Sequence, residues 1–230
     1  MNILSLETST RQFSLAISRE EKILIQKNMI LNGVLSSSII PSIEKLLKSA
    51  KLSFEKIDGF VIGLGPGSFT SLRVGLSTVK ALSFATRKPV VGIASLDALA
   101  LGVLSPAQTR ICALADARRN LVYSCLYENK KGRLKRISDY SLSSVKDLVK
   151  KINRETLFVG DGIKLFREEI SKLISERETL KIDFAPEKFW YPQAKYLAAL
   201  AAKRFQQKKY DDPDRLVPLY LYPDNCQVTR

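Results

Sequence analysis

The feature of this sequence that most constrains its fold is an apolar run that leads into a glycine-rich loop and then into a long helical pattern. The run at residues 57–64 is typical of a strand buried on both faces of a sheet. The loop Gly65-Pro66-Gly67-Ser68-Phe69 follows, and apolar residues then recur at helical spacing over 70–87. A further buried strand is predicted at 89–93. This order indicates a parallel β-α-β unit, so we expect an α/β protein.

The residues before this unit add three strands and a helix. Strands are predicted at 2–7, 13–18 and 22–30, and their short connections favour an antiparallel meander. A helix with apolar residues at helical spacing follows from Ile39 to Ala50, and we expect Ser36, Ser37 or Ser38 to cap it. The order βββαβαβ is that of one lobe of the ribonuclease-H-like fold, which predicts mixed sheets flanked by helices.

The remaining residues indicate a second lobe. We expect the first lobe to span 1–105, with a hinge at 105–108, and the second lobe to span 106–191. A last helix within 192–210 is expected to pack back on the first lobe, and 211–230 to form an extended tail. In the second lobe, strands are predicted at 111–115, 121–127, around Ile137, at 157–159 and at 180–184, with helices at 96–104 before it and at 145–152 and 165–174 within it.

The sequence contains no histidine. This excludes Ser-His-Asp and Cys-His nucleophiles, histidine metal sites and histidine acid-base catalysis. The three cysteines are widely spaced and form no C-x-x-C pair, so neither a disulfide framework nor a zinc site is expected. No apolar run reaches membrane-spanning length, and Glu7 and Arg11 interrupt any signal sequence. We therefore expect a soluble, cytoplasmic protein that does not bind membranes.

The formal charge of +14 favours an anionic partner, and nucleic acid is the usual one. Genomes rich in A and T also encode lysine-rich proteins without such a partner, so charge alone leaves both interpretations open. The densest basic cluster surrounds a predicted turn and comprises Lys130, Lys131, Arg133, Lys135 and Arg136. A second cluster suits a helix C-terminus, where cations offset the dipole: Lys203, Arg204, Lys208 and Lys209.

Two loops are candidates for contact with a nucleotide or another anion. In the first, Gly65 and Gly67 permit close backbone approach, and Ser68 or Thr70 can cap a helix whose free N–H groups suit an anion. No lysine follows as in a P-loop, and the alternative is a rigid corner whose glycines serve packing. The second candidate is Glu7-Thr8-Ser9, which resembles an actin-like phosphate loop if Asp161 supplies a second carboxylate. The alternatives are a polar hairpin turn and a glycine turn around Asp161.

Two further segments are candidates for contact with a macromolecule. The loop Asp116-Ala117-Arg118-Arg119-Asn120 can hold an anion or a partner, or its charges can pair internally, which would stabilise the fold by only ~0–1 kcal/mol. The helix at 70–87 has one apolar stripe through Leu72, Leu76 and Val79 and a second, smaller one through Val74, Thr78 and Ala81. A helix that is apolar on two faces is either buried within the monomer or covered by a partner.

Together these segments resemble the TsaB (YeaZ) family over nearly the whole chain. The resemblance is carried by the order and spacing of several motifs: Ile3-Leu4-Ser5-Leu6-Glu7-Thr8-Ser9, Gly63-Leu64-Gly65-Pro66-Gly67-Ser68-Phe69-Thr70 with Arg73 and Gly75, Gly92-Ile93-Ala94-Ser95-Leu96-Asp97-Ala98-Leu99, Asp116-Ala117-Arg118-Arg119-Asn120, Gly160-Asp161-Gly162 and Pro218-Leu219-Tyr220-Leu221. This chain departs from the family at Ser71, where Gly is usual, and at 35–38, where a histidine and a serine are common.

The resemblance implies a two-lobed actin-like ATPase fold and a non-catalytic role. Members support a related catalytic subunit, TsaD, which transfers a threonylcarbamoyl group to adenosine 37 of ANN-decoding tRNAs, and a small ATPase, TsaE, joins the complex. TsaD needs paired histidines for its metal, which this chain lacks. The resemblance implies no required cofactor and no metal, although weak ATP or ADP binding is compatible with it. An active small-molecule kinase or ATPase of the same superfamily and an autonomous tRNA-binding protein are the alternatives.

The resemblance also implies where partners bind. In the family the first two helices of the first lobe form the pairing surface, which supports homodimers when the partner is missing. The implied interface residues are Ser36, Ile40, Ile43, Leu47, Thr70, Leu72, Arg73, Val74, Gly75, Thr78 and Ala81. Candidate contacts with tRNA or a partner are Arg118, Arg119, Lys130, Lys131 and Arg133.

Overall fold

A computed structural model describes residues 1–30, 34–107, 110–176 and 180–223. The chain divides into two compact units, and the division falls after Ala98. The first unit comprises residues 1–98 and 191–218, and the second comprises residues 99–190 and 219–230. Each unit contains one mixed sheet with helices against it, which confirms the predicted α/β fold class.

The first unit is built on a five-stranded sheet of order β3-β2-β1-β4-β5. Strands β1, β2 and β3 form the predicted antiparallel meander, and β4 and β5 continue the sheet parallel to β1. The elements are β1 (Asn2–Glu7), β2 (Gln12–Arg19), β3 (Lys22–Ile30), α1 (Leu35–Ser49), β4 (Gly59–Gly63), α2 (Phe69–Thr86), β5 (Val90–Ile93) and α3 (Ser95–Leu101), which crosses the division between the units.

Successive side chains of a strand point to opposite faces of the sheet. Because apolar residues occupy both faces of this sheet, helices cover both of them. Leu4 and Leu6 of β1 join the core beneath α1 and α2, whereas Ile3 packs with Leu197 and Phe205 on the other face. These last two residues belong to the final helix of the chain, which is numbered below as α6. That helix therefore packs on the sheet of the first unit, at the place where the sequence predicts it.

The second unit contains the sheet order β11-β10-β6-β7-β8, with β9 paired to β7 beside β8. Strands β6, β10 and β11 are parallel, and β7 is antiparallel to β6. Helices α4 and α5 cover a core that includes Leu114 and Phe158. The elements are β6 (Arg110–Asp116), β7 (Leu121–Lys130), β8 (Arg133–Arg136), β9 (Ser141–Ser144), α4 (Val145–Lys150), β10 (Thr156–Val159), α5 (Ile163–Ser175), β11 (Ile182–Phe184) and, in the first unit, α6 (Ala194–Gln206).

The structure differs from the predicted local structure at three places. Val34, not a serine, precedes α1, because the hydroxyls of Ser37 and Ser38 donate back to the Val34 carbonyl within the first turn. The strand expected around Ile137 is present as β8, and the Ile137 amide continues its ladder by donating to the Leu126 carbonyl at 2.9 Å, but the polar strand β9 was not predicted. Helix α3 ends at Leu101, earlier than predicted, and the expected hinge lies partly outside the described residues.

The residues expected to form one extended tail are divided between the two units. Asp211 pairs with Val90 as an antiparallel bridge beside β5. Its carboxylate accepts hydrogen bonds from the Gly92 amide at 2.8 Å and from Arg204 at 2.7 Å. The residues to Pro218 belong to the first unit, and those from Leu219 belong to the second.

Candidate functional site

The end of β1 in the first unit is closed by three glycines that approach it. A Cβ atom on Gly63 would lie 2.2 Å from Glu7 Oε2, and one on Gly67 would lie 2.2 Å from the Ser9 carbonyl oxygen. A Cβ atom on Gly75 of α2 would lie 2.3 Å from Thr8 Oγ1. Only glycine permits these contacts without displacing the neighbouring group. The loop is therefore sealed by β4, by the residues before α2 and by α2 itself.

Glu7 lies at the centre of this closed loop with no exposed surface. Its Oε1 atom accepts a hydrogen bond of 2.7 Å from the amide of Ser9. Burial raises the pKa of the Glu7 carboxyl, and hydrogen bonds from the Ser95 hydroxyl and from Ser9 and Thr8 oppose that increase only in part. The carboxyl thus retains its proton at higher pH than an exposed glutamate does.

Ser95 belongs to this cluster, although its position in the sequence was not predicted to be part of a site. Its amide donates to the Gly65 carbonyl at 2.7 Å, and its hydroxyl accepts from the Gly65 amide at 3.0 Å. The residue is buried at the start of α3. Its position directly after a buried strand, as a serine able to cap a helix, was the available signal.

The loop of residues 65–68 is a tight corner tied to the first hairpin. Gly65 has φ +86°, and the Ser68 amide donates to the Ser9 carbonyl at 2.7 Å. The Ser68 side chain caps α2 by accepting from the Ser71 amide at 3.5 Å and also bonds the Ser71 hydroxyl at 3.0 Å. Because Ser68 faces its own helix and hairpin, these contacts match the rigid corner that the sequence left open as the alternative.

A nucleotide phosphate does not fit this loop as the structure has it. Glu7, Thr8 and Ser9 are all buried, and the gap above Thr8 is filled by Gly75. The hydroxyls of Ser5 and Thr8 have no hydrogen-bond partner among the described residues. A phosphate would reach them only after α2 had moved away.

Asp161 holds together the corresponding corner of the second unit. Its Oδ1 atom accepts a hydrogen bond of 3.1 Å from the Asp116 amide at the end of β6. A Cβ atom on Gly160, which has φ +129°, would lie 2.0 Å from the Leu114 carbonyl oxygen. The glycine turn that the sequence left open as the alternative for Asp161 is therefore present.

The loop after β6 holds its charges close together. Arg118, Arg119 and Asn120 all have positive φ, at 68°, 52° and 56°. The Asp116 carboxylate accepts from the Arg118 amide at 2.8 Å and lies 3.6 Å from the Arg118 guanidinium. Both arginine side chains are exposed, and the Asp116 carboxylate offsets part of the charge of Arg118.

The basic hairpin lies at the opposite end of β7 from that loop. Lys130, Lys131 and Arg133 are exposed around the turn between β7 and β8. The ten residues of β7 separate the two groups by roughly 30 Å at ~3.3 Å per residue. The two predicted basic contacts therefore do not form one site.

The predicted interface residues on α1 and α2 divide into a surface set and a buried set. Four of them are buried in the core of the first unit and offer no surface to a partner: Ile43, Leu47, Leu72 and Gly75. The exposed or half-buried members are Ser36, Ile40, Thr70, Arg73, Val74, Thr78 and Ala81. The interface itself stays a prediction.

The exposed face of α2 also carries residues that the sequence pattern alone did not single out. Phe69 and Phe84 are 52% and 86% exposed, and the Arg73 guanidinium lies 3.8 Å above the Phe69 ring. Phe84 follows Ala81 by three residues and therefore lies on the same helical face, which was the signal available in the sequence.

Metal-ligating side chains do not cluster in the described part of the chain. No three histidine, cysteine, aspartate or glutamate side chains within the described ranges come together as a metal site would require. None of the described helices is both long enough and apolar enough to cross a bilayer.

Comparison with known proteins adds to these observations. The sequence pattern of the TsaD family, tRNA N6-adenosine threonylcarbamoyltransferase, matches residues 34–226. The tRNA threonylcarbamoyladenosine biosynthesis protein TsaB of Bacillus subtilis is 27% identical over 77% of this chain and 78% of its own length. TsaB of Haemophilus influenzae is 28% identical over 96% of this chain and 93% of its own. Among solved structures, YeaZ from Pseudomonas aeruginosa has a TM-score of 0.81 at 22% identity, covering 96% of this chain and 99% of that one, and so shares the fold.

Proposed function

Because this chain belongs to the TsaD family, and within it to the TsaB/YeaZ group, we propose that it acts in tRNA threonylcarbamoyladenosine biosynthesis as an accessory subunit. In this role it binds a TsaD-like catalytic subunit through α1 and α2 and holds that subunit in its active arrangement. The partner performs the transfer of the threonylcarbamoyl group.

The observation that carries this proposal is the exposed face of α2. Five exposed residues lie within one narrow stripe of this helix, at spacings of three and four residues: Thr70, Arg73, Ser77, Ala81 and Phe84. Phe84, at 86% exposure, leaves nearly a whole aromatic ring in water. Two members of the stripe, Ala81 and Phe84, are apolar, and exposed apolar side chains with polar residues around them are typical of a protein interface. A small residue such as Ala81 also allows close approach of a second helix.

Helix α1 extends this surface. It contacts α2 and carries Ile40 and, just before its start, Val34, which are 41% and 68% exposed. A partner that covers both helices would bury these side chains together with Phe69 and Phe84. Burial of one large apolar side chain contributes about 1.5–3 kcal/mol to association before the entropic costs are counted.

Two features argue against chemistry by this chain alone. The sequence has no histidine to serve as a base, nucleophile or metal ligand. Glu7, the best-placed carboxyl of the first unit, is enclosed and has a raised pKa. The kinase alternative needs an open phosphate loop, and the loop at the end of β1 is closed.

The test is co-purification with the TsaD-like protein of the same organism, followed by threonylcarbamoyl transfer to tRNA with and without this chain. Phe84→Glu places a charge on the exposed stripe, and we expect it to weaken the complex by at least about 30-fold, the effect of losing one interface hot spot. The matched control is Leu165→Glu on α5 of the second unit, which also replaces an exposed apolar side chain, 61% exposed, with glutamate.

The outcomes separate the two functions. If Phe84→Glu abolishes both the complex and transfer while Leu165→Glu retains them, the accessory role is supported. If no complex forms and the chain alone hydrolyses ATP or phosphorylates a small molecule, the kinase alternative replaces it. A homodimer of the isolated chain that Phe84→Glu dissociates would indicate that the same surface pairs two copies.

A further inference from the structure

One end of the sheet in the second unit carries a group of exposed cations that the proposed function does not use. At this end β6, β10 and β11 begin and β7 turns into β8. The Thr156 amide that starts β10 donates to the Lys181 carbonyl at 3.3 Å, which joins the two loops there. We call this surface the basic end, and it consists of Lys130, Lys131, Arg133, Lys151, Arg154 and Lys181, all exposed.

Internal pairing does not neutralise the basic end. Arg110 pairs with Glu128 at 2.9 Å and also donates to Asn153 at 2.6 Å, so the one carboxylate in the middle of this surface is already held by a cation outside the set. The pKa of Glu128 is lowered first by its bond with Arg110 and further by the charges of Arg110, Lys130 and Arg154. Among the described residues on the loops that carry these six cations, the other exposed carboxylates are those of Glu155 and Glu176.

The register of the hairpin increases the repulsion. Lys130 is directly opposite Arg133 in the ladder of β7 and β8. Like charges directly opposite each other destabilise an antiparallel pair, so this arrangement does not serve the stability of the hairpin. An anion bound between the two side chains would relieve the repulsion.

The loop at the other end of β7 provides a contrast. There the Arg118 guanidinium lies 3.6 Å from the Asp116 carboxylate. Among the described residues the six cations of the basic end have no such ion pair, although the sequence places arginines and lysines in both segments.

Neither protection of a sheet edge nor attachment to a membrane accounts for the whole basic end. Charged residues on an edge strand such as β8 prevent pairing between sheets, but Lys151, Arg154 and Lys181 precede other strands, including β10 in the sheet interior. Stable binding to an anionic membrane takes a second signal besides the cations, such as inserted apolar side chains. The exposed large apolar residues described in the second unit are Leu165 and Tyr220, and neither belongs to the basic end.

We propose that the basic end binds the phosphate backbone of RNA. This inference rests on the proposed function, which brings the chain to a tRNA, and it names the surface by which the accessory subunit would hold that substrate. Because the contacts are to phosphates, binding should be salt-dependent and show little preference among RNA sequences.

The test measures binding of the whole chain to an unmodified tRNA transcript over a series of salt concentrations. The variant Lys130→Gln/Lys131→Gln/Arg133→Gln removes three cations from the basic end. At ~0.7–0.9 per phosphate contact, the slope of log K against log salt should decrease in magnitude by about 2. Lys151→Gln/Arg154→Gln, on a different loop, should decrease it by about 1.5.

The control variant is Lys203→Gln/Lys208→Gln/Lys209→Gln in the first unit, which changes the net charge by the same amount and should leave the slope near the wild-type value. The fluorescence of Trp190, which packs on the core of the second unit, reports whether the basic-end variants are folded, and circular dichroism reports the same for the control. Equal loss in the control, or a wild-type slope in both basic-end variants, would overturn the inference. So would equal affinity for vesicles of anionic phospholipid.

Co-purification with the TsaD-like subunit separates this inference from the proposed function. The basic-end variants should retain the complex, and Phe84→Glu should retain the salt slope for RNA. If the wild-type chain forms no complex but binds RNA, and the basic-end variants lose that affinity, the accessory role fails and the RNA surface remains.

Discussion

The two units contain the same kind of corner, from a parallel strand through a glycine loop into a helix. They differ in the carboxyl group beside the corner, which is enclosed in the first unit and partly exposed in the second. In the first unit Glu7 ends β1 and is enclosed by Gly63 of the neighbouring strand. In the second unit Asp161 lies in the glycine loop itself, stays partly exposed and accepts from the end of β6. In both corners the glycines allow close packing against neighbouring groups, and the difference lies in whether solvent reaches the carboxyl.

The largest expected effect comes from adding a methyl group where a glycine meets backbone. Gly160→Ala would combine a left-handed φ of +129° with a Cβ 2.0 Å from the Leu114 carbonyl oxygen, and we expect it to lower the free energy of unfolding by more than about 3 kcal/mol. Chemical denaturation followed by the fluorescence of Trp190 measures the second unit.

Gly132→Ala is the matched control for that substitution. Gly132 also has a left-handed φ, +78°, but its Cβ would meet nothing within 4 Å. It should therefore decrease stability by only about 1–2 kcal/mol, the effect of the backbone conformation alone. Equal effects of the two substitutions would show that the contact with Leu114 is unimportant.

A second prediction tests the enclosure of Glu7 in the first unit. Gly63→Ala would place a Cβ 2.2 Å from Glu7 Oε2 and should destabilise by about 1–3 kcal/mol through overpacking. In a Glu7→Ala background the same substitution should have less than half of that effect, because the group it collides with is gone. Hydrogen exchange of the β1 amides, measured for the double-mutant cycle, gives the coupling. Additive effects would contradict the contact.

The third prediction concerns pH. The folded-state pKa of Glu7 is raised above the ordinary value of 4.5 by burial, so the folded unit keeps this proton while the unfolded chain loses it. The contribution of Glu7 to the free energy of unfolding is therefore fully present below about pH 4.5. It decreases as the pH rises toward the folded-state pKa, at up to about 1.4 kcal/mol per pH unit. Glu7→Gln should remove this part of the pH dependence. A wild-type and a variant curve that stay parallel above pH 4.5 would refute the raised pKa.

The smallest expected effect is at Asp161. Asp161→Ala removes the acceptor of the Asp116 amide and should lower the stability of the second unit by about 1 kcal/mol. Asp161→Asn keeps an acceptor oxygen and should stay within about 0.5 kcal/mol of the wild type. If asparagine is as harmful as alanine, the charge of Asp161 matters and the comparison with Glu7 must be revised. Unfolding followed by Trp190 fluorescence again provides the measurement.

Much of the fold follows from periodicity. The meander of β1, β2 and β3 and the β4-α2-β5 unit are present as local patterns of apolar spacing and turn residues, whereas the return of the last helix to the first unit was expected from the fold type. Strand β9 escaped prediction because it is polar and short, and pairing with β7 rather than an apolar pattern makes it a strand.

The sequence by itself thus determined the fold class, the order of most elements, the absence of histidine chemistry and the family. The tertiary structure alone decided which side of each helix faces inward, and so removed Ile43 and Leu72 from the surface while exposing Phe84. It also enclosed Glu7 and separated Arg118 from Lys130 by the length of β7. The physical reason is that spacing along the chain is local, whereas burial, strand register and the distance between charges depend on neighbours that are far apart in sequence.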